Sequence, residues 1–302
     1  MSAVSPALKS SLRVALLQTR VLPDKTESLR GAREMLVAAI ESSQPDLCVL
    51  GEMFTCPYHP KYFRQYGERL PDQSPTLDMV KEVAKEKKVW IVGGTVPELE
   101  GNKVYNTALV VNDSGELVKI HRKAHLFDID VPADGEKPGI RFFESETLSP
   151  GNTGPCVFDT PWGPFGLGIC YDIRFPEYAA LLRNVAPGLK MLIYPGAFNM
   201  TTGPAHWRLL ARARALDNQC YVAMASPARS EVPEDYQAWG HSMIVNPWGE
   251  VVDETDEKAG WFSVDVDLSM VDSVRRNIPT ATQKRYDLYT KVMPVHQDEE
   301  TR

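Results

Sequence analysis

Short apolar runs alternate with amphipathic helical patterns along this chain, and that alternation leaves few folds open. Arg13-Val14-Ala15-Leu16-Leu17-Gln18 reads as a buried strand. Asp24 caps the helix that follows, with Glu27 in capping-box position and Leu29, Ala32, Leu36 and Ile40 on one face. Leu47-Cys48-Val49-Leu50 is a second strand. Ser74-Pro75 opens a helix with Leu77, Val80 and Ala84 inward, and Val89-Trp90-Ile91-Val92 is a third strand. Asn112-Asp113-Ser114-Gly115 turns a hairpin between Ala108–Val111 and Leu117–Ile120. Strands are then expected at Val157–Asp159, Met191–Tyr194 and Tyr221–Met224, separated by helices from Glu177 and Ala205. A second hairpin turns at Asn246-Pro247-Trp248-Gly249, and Gly260–Val266 is the last strand. The pattern is that of an α+β chain: mixed sheets covered by helices, with two stacked sheets holding this many strands. No repeat or low-complexity linker divides the 302 residues, so one domain is expected over 11–290, with polar tails at 1–10 and 291–302. Ala124 to Gly151 is long, weakly periodic and rich in Pro, Gly and acids, as binding loops often are.

Composition excludes several classes of function. The net charge is -7 without a block of like charge, which argues against nucleic acid as the main ligand. Cys48, Cys56, Cys156, Cys170 and Cys220 are odd in number and lack the close spacing of a zinc knuckle, so a reducing compartment is expected rather than a disulfide framework. No stretch is long enough to span a bilayer, and Met1 to Ser11 lacks the apolar core of a signal peptide. A cytoplasmic location is expected. The alternative is a short mitochondrial transit peptide, because Lys9 and Arg13 sit among serines before the first acid, Asp24. His121 and His125 flank a strand end with no third ligand nearby, so no metal site is expected. No phosphate-cradling loop or cofactor fingerprint is present in the sequence, and no cofactor is expected.

Three reactive side chains stand just past apolar strands. Glu52 follows Leu47–Leu50, Lys123 follows Leu117–Ile120, and Cys170 follows Phe165–Ile169. After Cys170 a turn leads to Pro176 and Glu177, residue types suited to a helix start, so the sulfur is expected on a strand-to-helix turn beside free N–H groups. If the three strands are parallel neighbours, their ends converge. Each type has a task in amide hydrolysis: Cys170 attacks the carbonyl carbon and Glu52 shuttles the proton. Lys123 and the Tyr171 N–H face the developing oxyanion. Lys123 lowers the thiol pKa and Glu52 raises it. Taken singly, Cys170 reads as a buried core cysteine, Glu52 as a turn residue and Lys123 as an exposed strand end. Two other readings stay open on these residues: a thiol hydrolase pairing Cys170 with His206 or His241, and a scaffold with a vestigial site.

Taken together, Leu50-Gly51-Glu52-Met53-Phe54, His121-Arg122-Lys123-Ala124-His125-Leu126 and Gly168-Ile169-Cys170-Tyr171-Asp172-Ile173-Arg174-Phe175-Pro176-Glu177 resemble the three motifs of the nitrilase superfamily of carbon–nitrogen hydrolases. The resemblance runs from about Val14 to Tyr289. It implies a Glu52-Lys123-Cys170 triad, an assisting Glu144, and a four-layer αββα sandwich that forms a homodimer through its sheet-covering helices. His125–Pro132, Glu144–Gly151, Asp217–Ala223 and Ala225–Arg229 resemble the ω-amidase branch, which implies hydrolysis of the terminal amide of 2-oxoglutaramate or 2-oxosuccinamate to the 2-oxo dicarboxylate and ammonia. Sister amidases acting on deaminated glutathione or a carbamoyl amine are the alternative. Such a substrate needs a cation for its far carboxylate. Arg174 is the candidate, with Phe198 as an apolar wall, Thr202 as a hydroxyl and Tyr58 at the mouth. The competing role for Arg174 is a structural ion pair with Asp172 or Glu177. Pro132–Arg141 and Asn184–Gly188 depart from the family pattern as longer loops, the first between Lys123 and Glu144.

Overall fold

A computed structural model describes residues 8–135 and 139–289. Most of the expected N-terminal tail, the C-terminal tail and residues 136–138 of the 132–141 loop lie outside it. Of the N-terminal tail, Lys9 is described: its N–H donates to Pro161 O at 3.0 Å and its ammonium lies over the Trp162 ring.

The first half forms strands β1 (Ser11–Gln18), β2 (Leu47–Leu50), β3 (Trp90–Glu100), β4 (Lys103–Val111) and β5 (Leu117–Arg122), with helices α1 (Lys25–Ser43), α2 (Pro60–Phe63) and α3 (Pro75–Lys87). A small hairpin follows, β6 (Asp128–Val131) with β7 (Ile140–Phe143). The second half supplies β8 (Cys156–Thr160), β9 (Gly163–Leu167), β10 (Met191–Pro195), β11 (Tyr221–Ala225), β12 (Met243–Val245), β13 (Val251–Glu254) and β14 (Gly260–Asp267). Its helices are α4 (Pro176–Val185), α5 (Gly203–Asn218), α6 (Ser269–Asn277) and α7 (Tyr286–Tyr289). One sheet runs β14-β1-β2-β3-β4-β5 and the other β13-β12-β11-β10-β9-β8.

The period-2 geometry of strands sorts their side chains into two cores. Val14 and Leu16 of β1, with Val49 and Val92, join Phe165, Leu167 and Met224 of the other sheet in one cluster. Ala15, Leu17, Cys48, Leu50 and Ile91 face the opposite way and bury Ala32, Leu36 and Ile40 of α1 and Leu77, Val80 and Ala84 of α3. Trp207, Ala211 and Ala215 of α5 and Leu182 of α4 cover the second sheet. The layers are therefore α, β, β, α, as the family resemblance implies.

Local chemistry explains the helix boundaries, with one difference. Asp24 accepts from Thr26 N and Glu27 N, but Glu27 turns outward to pair with Arg30 at 2.6 Å instead of closing a capping box. Ser74 caps α3 by accepting from Leu77 N, with Pro75 in its first turn. The 124–151 segment is also more regular than its sequence suggests, since it holds β6, β7 and a 3-10 turn at Glu144–Glu146. No residue of the hairpin strands is fully buried, so no burial period marks them, and Arg141 and Asp130 pair across them.

Candidate active site

Each reactive side chain is set by a strand end. β2 stops at Leu50, and Glu52 lies in the turn beyond. That turn is held by Met53 N donating to Thr95 Oγ1 at 2.9 Å and by Thr95 N donating to Gly51 O. β5 ends at Arg122, which is clamped by Glu98 and Glu100, and Lys123 follows directly. Lys123 N donates to Asn106 O, and Lys123 O accepts from Gly151 N, each at 2.8 Å. β9 stops at Leu167, and a 3-10 turn from Cys170 to Arg174 replaces the simple turn expected. The three strands are not neighbours in one sheet. β3 and β4 separate β2 from β5, and β9 belongs to the other sheet. β2 and β5 still point the same way, because β5 is two antiparallel steps from β3. The stacking of the sheets, not strand adjacency, brings the sulfur in.

Glu52, Lys123 and Glu144 are fully or almost fully buried, and Cys170 is 4 % exposed. Lys123 Nζ donates to Glu52 Oε1 and to Glu144 Oε1, each at 2.9 Å. Glu52 Oε1 also accepts from Asn106 Nδ2 at 2.8 Å, whereas its Oε2 has no conventional hydrogen bond. The Glu52 carboxylate interacts with the Cys170 thiol, and Ala197 N approaches Sγ at 3.5 Å. Glu144 is fixed by Phe127 N on Oε2 at 2.7 Å and by the Tyr58 hydroxyl on Oε1 at 2.6 Å. One buried ammonium therefore serves two buried carboxylates.

Burial pushes the Cys170 thiol well above its ordinary pKa; Glu52 adds to this, and Lys123 and Ala197 N oppose it. Burial alone would lower Lys123, but the charges of Glu144 and Glu52 outweigh it and hold the ammonium well above its ordinary value. Burial also raises the Glu144 carboxyl against the pull of Lys123. The sulfur is thus a neutral thiol beside a base, and the lysine a permanent cation.

Cys170 also lines a narrow, tightly closed cavity with Phe127, Tyr171, Arg174, Phe198 and Thr202. The Arg174 guanidinium stacks over Phe198 at 4.7 Å, and its Nη1 meets His206 Nδ1 at 3.1 Å. Its Nε is buried without a partner, and burial lowers its pKa. Among the described residues no carboxylate pairs with it, so the structural ion pair with Asp172 or Glu177 is not formed. A larger cavity, about 170 Å³, is lined by Glu52, Met53, Tyr58, Tyr236 and the 227–232 segment.

A sequence model described as carbon-nitrogen hydrolase matches residues 13–276. The chain belongs to the carbon–nitrogen hydrolase family. It is 48% identical to the omega-amidase NIT2 of Xenopus tropicalis, over 93% of this chain and 98% of that one. It is 45% identical to a hydrolase of Schizosaccharomyces pombe, over 99% and 90% of the two chains. The crystal structure of Saccharomyces cerevisiae Nit3, a member of branch 10 of the nitrilase superfamily, superposes with a TM-score of 0.82 at 38% identity, covering 94% of this chain and all of that one.

In this carbon–nitrogen hydrolase the expected Glu52, Lys123, Cys170 and Glu144 converge, and Tyr171, Arg174, Phe198 and Thr202 share the sulfur's cavity. Tyr58 is not merely at the mouth. Its hydroxyl lies 3.1 Å from Glu52 Oε1 and 3.3 Å from Lys123 Nζ, inside the charge cluster. The histidine alternatives fail on geometry: His206 meets Arg174, and His241 pairs with Glu254 and stacks on Trp239. Asn106 was missed. Its signal was an amide side chain within a strand that is buried from Val104 to Val111.

Proposed function

We propose that this chain is an ω-amidase that hydrolyses the terminal amide of 2-oxoglutaramate or 2-oxosuccinamate, giving the 2-oxo dicarboxylate and ammonia through a Cys170 thioester. Arg174 carries the reading. It is a half-buried guanidinium without a carboxylate, in the sulfur's own cavity, where a substrate carboxylate supplies the missing partner. Phe198 and Tyr171 flank it, and the identity to omega-amidases adds support.

The steps follow from the charges. Glu52 takes the Cys170 proton as Sγ bonds to the amide carbon. The C=O electron pair moves to oxygen, where Lys123 Nζ stabilises it. Tyr171 N–H is the second donor, from the first turn of the 3-10 helix, where N–H groups lack helical acceptors. The tetrahedral adduct collapses, the C–N bond breaks, and the Glu52 proton leaves with ammonia. Water then adds to the thioester, giving its proton to Glu52. The C–S bond breaks, the Glu52 proton returns to sulfur, and the product acid gives its remaining proton to ammonia and departs as the carboxylate. Glu144 and Tyr58 hold Lys123 and Glu52 in register throughout.

The decisive assay is ammonia release from both substrates by wild type, Cys170→Ala and Arg174→Met. Cys170→Ala is expected to be inactive. Arg174→Met loses a charge-assisted contact of about 2 kcal/mol, which raises KM about thirtyfold. Faster release from deaminated glutathione than from 2-oxoglutaramate, or a KM untouched by Arg174→Met, overturns the reading. The same reading includes a homodimer through α4 and α5, whose Leu181, Val185, Leu209 and Leu216 are exposed.

A further inference from the structure

The turn that presents the nucleophile is strained. Cys170 has φ 45°, a left-handed conformation. It costs a non-glycine residue about 1–2 kcal/mol and persists only where the surroundings over-determine it. Those surroundings converge on one carboxylate. Asp172 is fully buried, and its Oδ2 accepts from the N–H of Ile169, the residue before the nucleophile, at 2.9 Å. Its Oδ1 reaches out of the turn to the segment after β5, where it accepts from His125 N at 2.9 Å and meets His125 Nδ1 at 2.8 Å. His125 is two residues past Lys123. Its ring lies flat on Phe175, at the end of the nucleophile turn, with centroids 3.7 Å apart and planes 11° apart. His121, two residues before Lys123, meets Asp172 Oδ2 at 3.5 Å and is held by the Tyr178 hydroxyl at 3.1 Å and by Thr153 Oγ1 at 3.4 Å.

We propose that Asp172 and His125 form a latch between the two sheets, as positioning residues that set the placement of Lys123 relative to Cys170. The proposal rests on the amidase reading but touches neither substrate nor reacting atoms. Lys123 comes from one sheet and Cys170 from the other. The contact between the sheets is chiefly apolar, and apolar packing is non-directional. Amide chemistry needs tighter placement, since a 1 Å error can cost about a hundredfold in rate. One buried carboxylate that grips both segments supplies the direction.

Beyond its backbone N–H, which every variant keeps, the His125 side chain has two separable grips, a donor to Asp172 and a ring on Phe175. His125→Gln keeps a donor and loses the ring, whereas His125→Phe keeps the ring and loses the donor. If the latch positions Lys123, His125→Phe lowers kcat about tenfold or more at unchanged KM and thermal midpoint, and His125→Gln stays within about threefold of wild type. Iodoacetamide alkylation of Cys170 needs no substrate and is expected to fall in the same order, so a wrong substrate assignment leaves this test intact. Wild-type kcat in His125→Phe, equal losses in both variants, or losses that track the thermal midpoint overturn the proposal. Should His125→Phe not fold, His125→Leu removes the same donor with a smaller side chain, and the same outcomes apply.

Discussion

Cys170 shows how far a residue's chemistry is set by its neighbours. Burial and Glu52 raise the thiol pKa while Lys123 and Ala197 N lower it, and the balance leaves a protonated sulfur at neutral pH. Two effects of opposite sign follow. Glu52→Gln removes the base and is expected to abolish turnover, yet it also removes a charge that raises the thiol pKa, so alkylation at about pH 8 should speed up. Lys123→Met removes a charge that lowers it and should slow both. Parallel pH profiles of alkylation and ammonia release check this, and slower alkylation in Glu52→Gln contradicts it. Asp172 behaves differently. Burial alone would raise its pKa, but hydrogen bonds from His121, His125 and Ile169 N hold the carboxyl well below the usual range. A depressed carboxylate stabilises the fold above its unfolded value of about 3.9, and that contribution is lost as pH falls through the folded value. Asp172→Asn is therefore expected to cost about 3 kcal/mol near neutral pH, with the gap closing below about pH 4. Urea melts at both pH values measure it. Glu52, Lys123 and Cys170 were legible in the sequence only jointly, as three reactive types ending apolar strands within motifs that resemble one family; singly each reads as a core, turn or strand-end residue. Asn106 and the Tyr58 hydroxyl were not, since their roles exist only as distances to groups far along the chain.

At the scale of elements, β3 deserves its own test. Its register shifts between Val92 and Thr95, and Gly94 sits in that irregularity at φ 59°. A Cβ there would lie 2.2 Å from Gly51 O, the carbonyl preceding Glu52. Irregularities of this kind re-aim side chains beside active sites. Here the shift lets Thr95 hold the Glu52 turn through Met53 N. Gly94→Ala is expected to lower the thermal midpoint and kcat together, because the clash is with backbone and cannot be relieved by a rotamer. A variant with wild-type values for both would show that the turn is not fixed from β3. Most elements were readable from periodicity and caps. The β6–β7 hairpin was not, because four-residue strands without a buried position carry no burial pattern.

For the whole molecule, the proposed dimer gives the clearest prediction. Leu209 is 63% exposed and Leu216 is 51% exposed, both on α5. The Leu209→Glu, Leu216→Glu pair is expected to sediment as a monomer where wild type sediments as a dimer; a dimeric double variant would refute the α5 interface. By itself the sequence determined which reactive residues meet in the site, which strands end beside them, and that two apolar sheets must be covered by helices. These follow from residue type and local period. Tertiary structure alone decided that β2 and β5 are not neighbours, that Cys170 arrives from the facing sheet, that Arg174 lacks a carboxylate, and that Asp172 ties the two halves of the site together. These outcomes depend on which groups meet in space, and that is set by how the sheets stack, which no local pattern encodes.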